Sequence, residues 1–169
     1  MSEIFRVDEA NNAAPLLSNL EPLELSSLPD LRWIVKSPTH CVDLECLKVL
    51  EIISWEKLES LFSISIVRSL IVLEELKIVG SNELLKGVFM EVESNAESNT
   101  LYLPNLKNME IKECPNLEYV FPLALARGFL RLQKLLLVKL GNLRGFAESN
   151  DVVKMVALKT LDRNTPAKN

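Results

Sequence analysis

The chain is poor in the residues on which catalysis and nucleotide binding most often depend. It has one histidine, five glycines and three cysteines among 169 residues. So few glycines argue against a glycine-rich phosphate cradle, and no G-x4-G-K-[ST] loop is present. Cys41, Cys46 and Cys114 are odd in number and follow no paired spacing, which argues against a disulfide framework. Adding His40 does not make a zinc set, because Cys41-x4-Cys46 and a distant Cys114 match no ligand pattern. His40 and Cys41, adjacent in a loop with no orienting group, make a poor activated thiolate. No catalytic residue, cofactor-binding residue or metal ligand is therefore assigned, and the chain is expected to be non-enzymatic and cofactor-free.

Other absences narrow the setting. A formal net charge of −4 and a pI near 5.2 leave no footprint for nucleic acid. No run approaches the ~18 apolar residues that a membrane span needs. The first residues, Met1 to Glu9, lack the apolar stretch of a signal peptide. No N-x-[ST] acceptor occurs. Together these favour a reduced, cytoplasmic location.

What the chain has instead is leucine, roughly a fifth of all residues. From Leu103 to Val120 the apolar positions are 103, 106, 109, 111, 114, 117 and 120. The close pair Met109 and Ile111 is period 2, so a short strand sends both side chains to one face. The three-residue steps on either side fit a chain that turns corners while feeding one core. Such a coil cannot bury its apolar face alone, and copies follow through the sequence. Anchored on their first leucine, the copies begin at Leu20, Leu47, Leu73, Leu106, Leu132 and Leu158. The steps between anchors are 27, 26, 33, 26 and 26 residues, the signature of a leucine-rich repeat.

The expected fold is an α/β repeat: a leucine-rich-repeat solenoid with a parallel concave sheet and an irregular or short-helical convex side. Residues 20–161 form the repeat domain. Residues 1–19 are expected to be a partial repeat or a capping arm. Ile4-Phe5 resembles the coil tails Leu61-Phe62, Val88-Phe89 and Val120-Phe121, so a start in mid-coil is the favoured reading. The long step is explained by an acidic loop over residues 90–100. Ile64 to Leu70 is either a helical turn or extended, and Pro122 to Gly128 carries good helix formers with a glycine stop. Residues 162–169 are expected to be a frayed tail, because Arg163 stands where an apolar anchor belongs. A longer period of 59 residues relates Leu58, Phe62, Arg68, Leu73 and Leu76 to Leu117, Phe121, Arg127, Leu132 and Leu135.

The inward position after each strand pair is Leu28, Trp55, Ser81, Cys114 and Leu140. Repeat proteins often place Asn or Cys here to hydrogen-bond the next turn; only Cys114 follows that habit, with Ser81 a possible substitute. Between the inward pairs, the outward residues are Glu24, Glu51, Lys77, Glu110 and Leu136. The next outward set is Ser26, Ile53, Val79, Lys112 and Val138. These ten residues are the candidate partner-binding concave face, since solenoids of stacked repeats present such surfaces. Ile53, Val79, Leu136 and Val138 are expected to be exposed apolar groups, of the kind that marks a contact surface. Direct contact with a ligand and cover by a neighbouring domain are both open readings.

The block Leu-Pro-Asn-Leu-Lys-x-Met-Glu-Ile-Lys-Glu-Cys-Pro-Asn-Leu-Glu-Tyr-Val-Phe-Pro over 103–122, with Ala126-Arg127 and Leu132-x2-Leu135, carries a family likeness. It resembles the leucine-rich-repeat region of plant intracellular disease-resistance proteins of the coiled-coil, nucleotide-binding class. That resemblance implies the sensor arm of an immune receptor. Its partners would be a pathogen effector, a guarded host protein or the receptor's own nucleotide-binding domain. Nucleotide binding itself is not carried over, because the phosphate loop is missing. A repeat-only adapter, such as a ubiquitin-ligase substrate receptor, is the alternative.

Overall fold

The computed structural model describes residues 3–5, 19–35, 44–59, 61–80, 85, 87–90, 103–121, 129–147 and 160–164. Its strands fall into two interleaved series. The first series is β2 (Pro22–Ser26), β4 (Val49–Ile53), β6 (Glu75–Val79), β8 (Asn108–Lys112), β10 (Lys134–Val138) and β12 (Thr160–Asn164). These six strands form one parallel sheet in the order β12-β10-β8-β6-β4-β2. The second series is β1 (Glu3–Phe5), β3 (Trp33–Val35), β5 (Phe62–Ser63), β7 (Phe89–Met90), β9 (Tyr119–Phe121) and β11 (Gly145–Ala147). It pairs in parallel as β1 with β3, β5 with β7 and β9 with β11. A single bridge from Gly87 to Tyr119 ties the last two pairs together.

Each strand of the large sheet follows from its period-2 pattern. Leu23, Leu50 with Ile52, Leu76 with Ile78, Met109 with Ile111, and Leu135 with Leu137 are buried in one continuous core. Alternate residues face the other way and stay half-buried or exposed. The register is the one the anchor spacing predicts. Leu23 pairs with Leu50, Leu50 with Leu76, Leu76 with Met109, Met109 with Leu135, and Leu135 with Leu161. The longer step before β8 leaves the pairing intact, so the extra residues are taken up outside the sheet. The sheet is thus compatible with a leucine-rich repeat and carries almost no helix.

Two devices fix where each strand starts and stops. Ahead of the strands, the Lys48 N–H donates to the Glu21 carbonyl at 2.7 Å. Glu74, Lys107 and Gln133 repeat this bond on Lys48, Glu74 and Lys107 at 2.8 Å each. The side chains of that column alternate in charge, with Lys48 on Glu21 at 3.1 Å and Lys107 on Glu74 at 2.8 Å. The Lys107 hydrogen bond, aided by the charges of Lys107, Lys48 and Arg131, holds the Glu74 carboxyl below its ordinary value. Such exposed pairs add little stability, but they reward one stacking order over a slipped one. After the strands, Ser27, Ser54, Glu113 and Lys139 take positive φ and turn the chain out of the sheet.

Gly80 occupies the same place in its coil yet is not left-handed. Its reason is packing. A Cβ there would meet Trp55 Cε2 at 3.1 Å and Nε1 at 3.2 Å. The glycine clears space for a buried indole whose N–H has no partner among the described residues.

The return side differs from the expectation of irregular or helical segments. Among the described residues it holds mainly the short strands of the second series, and one helix, α1 (Ile64–Val67). Coil after coil stacks in register, so extended return segments meet and hydrogen-bond as the main strands do. The Ile64 to Leu70 stretch, open between two conformations, is helical at its start. Ile66 and Val67 are buried there, and the Ser69 N–H and hydroxyl both donate to the Ile66 carbonyl at 2.9 Å. The expected helix over 122–128 lies outside the described residues, as do residues 91–100 of the acidic loop.

A second difference concerns the tail. β12 continues through Asn164, and Arg163 pairs in register with Leu137. The expected break at 162 assumed that a missing apolar anchor ends the repeat. Parallel pairing uses backbone groups, which arginine retains.

Cys114 sits in the core, where its thiol donates to the Lys112 carbonyl at 3.3 Å, within its own turn. The Gly80 N–H donates to that same carbonyl at 3.1 Å, so the turn backbone of two coils meets at this point. Burial pushes the thiol from an ordinary 9.0 up to about 12. Because the folded value is raised, its stabilising effect is whole below pH ~9 and disappears as pH climbs toward the folded value. Urea unfolding of the wild type is expected to show a midpoint falling between pH 9 and 12 more steeply than that of Cys114→Ala. Parallel pH profiles for the two proteins would show that the thiol is not the cause.

Candidate protein-binding face

The outward face of the six-stranded sheet collects the ten residues singled out by spacing. Glu24, Glu51, Lys77, Glu110 and Leu136 are mutual register partners across β2 to β10. Ser26, Ile53, Val79, Lys112 and Val138 form the adjoining column in the same way. Parallel strands lie about 4.8 Å apart, so each column is a continuous strip of surface.

One further column escaped the sequence reading. Pro22, Val49, Glu75, Asn108 and Lys134 also align across the strands and face outward. The signal was present, because period 2 runs back one step from each inward leucine as well as forward. This column shapes the surface. The short Asn108 lies between the longer Glu75 and Lys134 and floors a shallow, open depression of about 180 Å³. Lys77 and Glu110 complete its walls.

Most charges on the face are satisfied within it. Lys77 pairs with Glu51, and Lys112 with Glu110 at 2.8 Å. Asn108 donates to Glu75 at 3.1 Å. The hydrogen bond to Glu51, reinforced by the charges of Glu51, Glu110 and Glu24, raises the Lys77 pKa. Glu24 and Lys134, both exposed, have no ion pair among the described residues.

The apolar residues of the face are less open than expected. Ile53, Val79, Leu136 and Val138 are half-buried, because the long neighbours Glu51, Lys77, Glu110 and Lys112 lie beside them. The large apolar residues exposed among the described ones are Ile71, at 44 %, and Leu130, at 52 %. They precede β6 and β10 and are separated by 59 residues, the longer period read from the sequence. Asn105 donates to the Ile71 carbonyl at 2.7 Å, and Arg131 donates to Asn105 at 3.0 Å, linking these turns.

The remaining sequence candidates separate. Cys46 is exposed and Cys114 buried, so they share no site, and His40 and Cys41 lie outside the described residues. Among the described residues no helix is long and apolar enough to cross a membrane.

The repeat agrees with what comparison with known proteins finds. Residues 1–82 and 85–141 match the model of the family described as plant disease resistance protein RPS2-like, leucine-rich repeats. Such repeats mediate protein interactions and are typically non-catalytic. No curated protein and no solved structure matches the chain. With most of its length matched in this way, the chain belongs to the leucine-rich-repeat family of RPS2-like plant disease resistance proteins.

Proposed function

We propose that the chain is an open leucine-rich-repeat solenoid serving as the recognition arm of a cytoplasmic plant immune receptor. In this role it engages a pathogen effector or a guarded host protein, and restrains the receptor's nucleotide-binding domain until it does. The observation that carries the reading is the family match over a face whose outward residues align strand by strand. A surface ordered in this way supplies many weak contacts at fixed spacing, which suits protein recognition and supplies no reacting group.

The double variant Lys77→Glu, Lys112→Glu tests it. Both lysines are partly exposed and, among the described residues, paired with carboxylates on the same face. Losing two such pairs and setting like charges beside Glu51 and Glu110 costs roughly 1–2 kcal/mol. The protein is therefore expected to stay folded by circular dichroism, while capture of the nucleotide-binding domain weakens and the receptor response in leaf tissue changes. A folded variant with unaltered capture and response would remove the face from recognition.

A further inference from the structure

The Pro22-to-Lys134 column holds a depression whose hydrogen-bonding groups are only partly used. Two strand spacings put the backbones of Glu75 and Lys134 about 10 Å apart, with the shorter Asn108 between them as the floor. Its volume of about 180 Å³ lies below the ~300 Å³ at which small-molecule sites begin, so it suits one side chain of a protein partner. Asn108 Nδ2 donates to Glu75 Oε1 at 3.1 Å. Asn108 Oδ1 and Glu75 Oε2 therefore remain open acceptors among the described residues. The exposed Lys134 ammonium has no ion pair or hydrogen bond among the described residues and is an open donor at the other end. The remaining charges of the walls are neutralised, Lys77 by Glu51 and Glu110 by Lys112.

We infer that this depression is a subsite for the primary carboxamide of one Asn or Gln side chain on the protein partner. A carboxamide carries two N–H donors on its nitrogen and an acceptor on its carbonyl oxygen. Its nitrogen donates to Glu75 Oε2 and Asn108 Oδ1, and its carbonyl accepts from Lys134. The nitrogen-to-oxygen separation of about 2.2 Å, with a hydrogen bond of about 2.9 Å at each end, spans roughly 8 Å and fits between the two backbones. A carboxylate lacks the donors and meets Glu75. An ammonium or guanidinium lacks the acceptor and meets Lys134. A hydrocarbon side chain covers all three groups and pairs none of them, which costs binding. This inference rests on the proposed use of the sheet face for protein recognition, and it makes Glu75, Asn108 and Lys134 specificity-determining residues.

Four probes with a common backbone make the test: the N-acetyl, N-methylamide derivatives of glutamine, glutamate, lysine and methionine. Each is titrated into the full chain at constant ionic strength and followed by amide shifts. The wild type is expected to bind the glutamine probe about two- to ten-fold more tightly than the others, the range of one net hydrogen bond. The largest shifts should fall at Glu75, Asn108 and Lys134. Lys134→Glu should transfer the preference to the lysine probe, and Glu75→Lys to the glutamate probe. Asn108→Leu, close in size but without the open oxygen, should remove the preference for glutamine. All three positions are exposed or half-buried on the outward face, so the variants are expected to stay folded. Equal affinity for the four probes, no binding by the glutamine probe, or a glutamine preference that survives Asn108→Leu would overturn the subsite. The capture experiment on Lys77 and Lys112 reads the face separately. Weakened capture without a carboxamide preference removes the subsite alone, and unaltered capture removes the face.

Discussion

Replacing Trp55 with alanine is expected to lower stability by roughly 3–5 kcal/mol, the range for removing a large buried aromatic. Trp55 is among the largest fully buried side chains, at 1 % exposure, and stands where other coils carry Leu28, Cys114 and Leu140. β4, the strand just before it, is tied into the sheet on both sides by its pairing with β2 and with β6, so the vacated space cannot collapse without breaking register. Urea denaturation measures the loss as a lower midpoint at unchanged slope. A loss below about 1 kcal/mol would mean that the core around β4 repacks freely.

The contact with Gly80 sharpens that expectation. Gly80→Ala places a methyl group at 3.1 Å from the indole, so the ring must give way by a few tenths of an ångström. On the intact protein this is expected to destabilise by about 1 kcal/mol, the lower end of overpacking. In a Trp55→Leu background the penalty should vanish, because the smaller side chain leaves room. The double-mutant cycle therefore reads their contact directly. Additive effects would show that glycine is required at position 80 for some other reason.

The second large effect contrasts two residues that hold the same place in the repeat. Leu106→Ala is expected to cost roughly 2–5 kcal/mol, and Leu20→Ala only about 1 kcal/mol. Leu106 is fully buried ahead of β8, with coils packed on both sides. Leu20 precedes β2, the last strand at one edge of the sheet, and is only partly buried. A stacked array gains its stability from nearest-neighbour contacts, so an end position loses half of them. Thermal melts of the two variants decide the matter. Equal losses would mean that the first coil is packed on its open side as tightly as the inner ones.

Edge position also explains the composition of β2. The Ser27 N–H reaches the Ile53 carbonyl and the Val49 N–H reaches the Glu21 carbonyl, so odd-numbered backbone groups face β4. Even-numbered groups face the side on which no strand pairs with β2 among the described residues; there Pro22 has no N–H to leave unpaired and Glu24 adds charge. Both features discourage further strands from adding there.

Much of this was legible in the chain itself. Period 2 around Met109 and Ile111 marks a strand, and its recurrence at 26 or 27 residues, with one step of 33, gives the register residue for residue. The ten outward candidates land in two aligned columns for the same reason. The third column, Pro22 to Lys134, follows from the same alternation and was missed only because reading began at the inward leucine. Where the return side was expected to be irregular or short-helical, the described residues hold one helix, Ile64–Val67, and mainly short strands, for a physical reason. Short segments such as Phe62–Ser63 and Tyr119–Phe121 have no decisive period, and their conformation is set by the partner strand one coil away.

The sequence by itself determined the repeat, the strand register, which residues face the core and the family to which the chain belongs. These are properties of local alternation and of its recurrence, which need no third dimension to be read. The tertiary structure alone decided how residues 26 to 33 positions apart meet. It paired Lys77 with Glu51, left Glu24 and Lys134 without an ion pair among the described residues, and half-buried Ile53 and Val79 beneath longer neighbours. It also set Gly80 against the ring of Trp55. Charge balance, exposure and fit are relations between coils, and they take a value only once the coils are stacked.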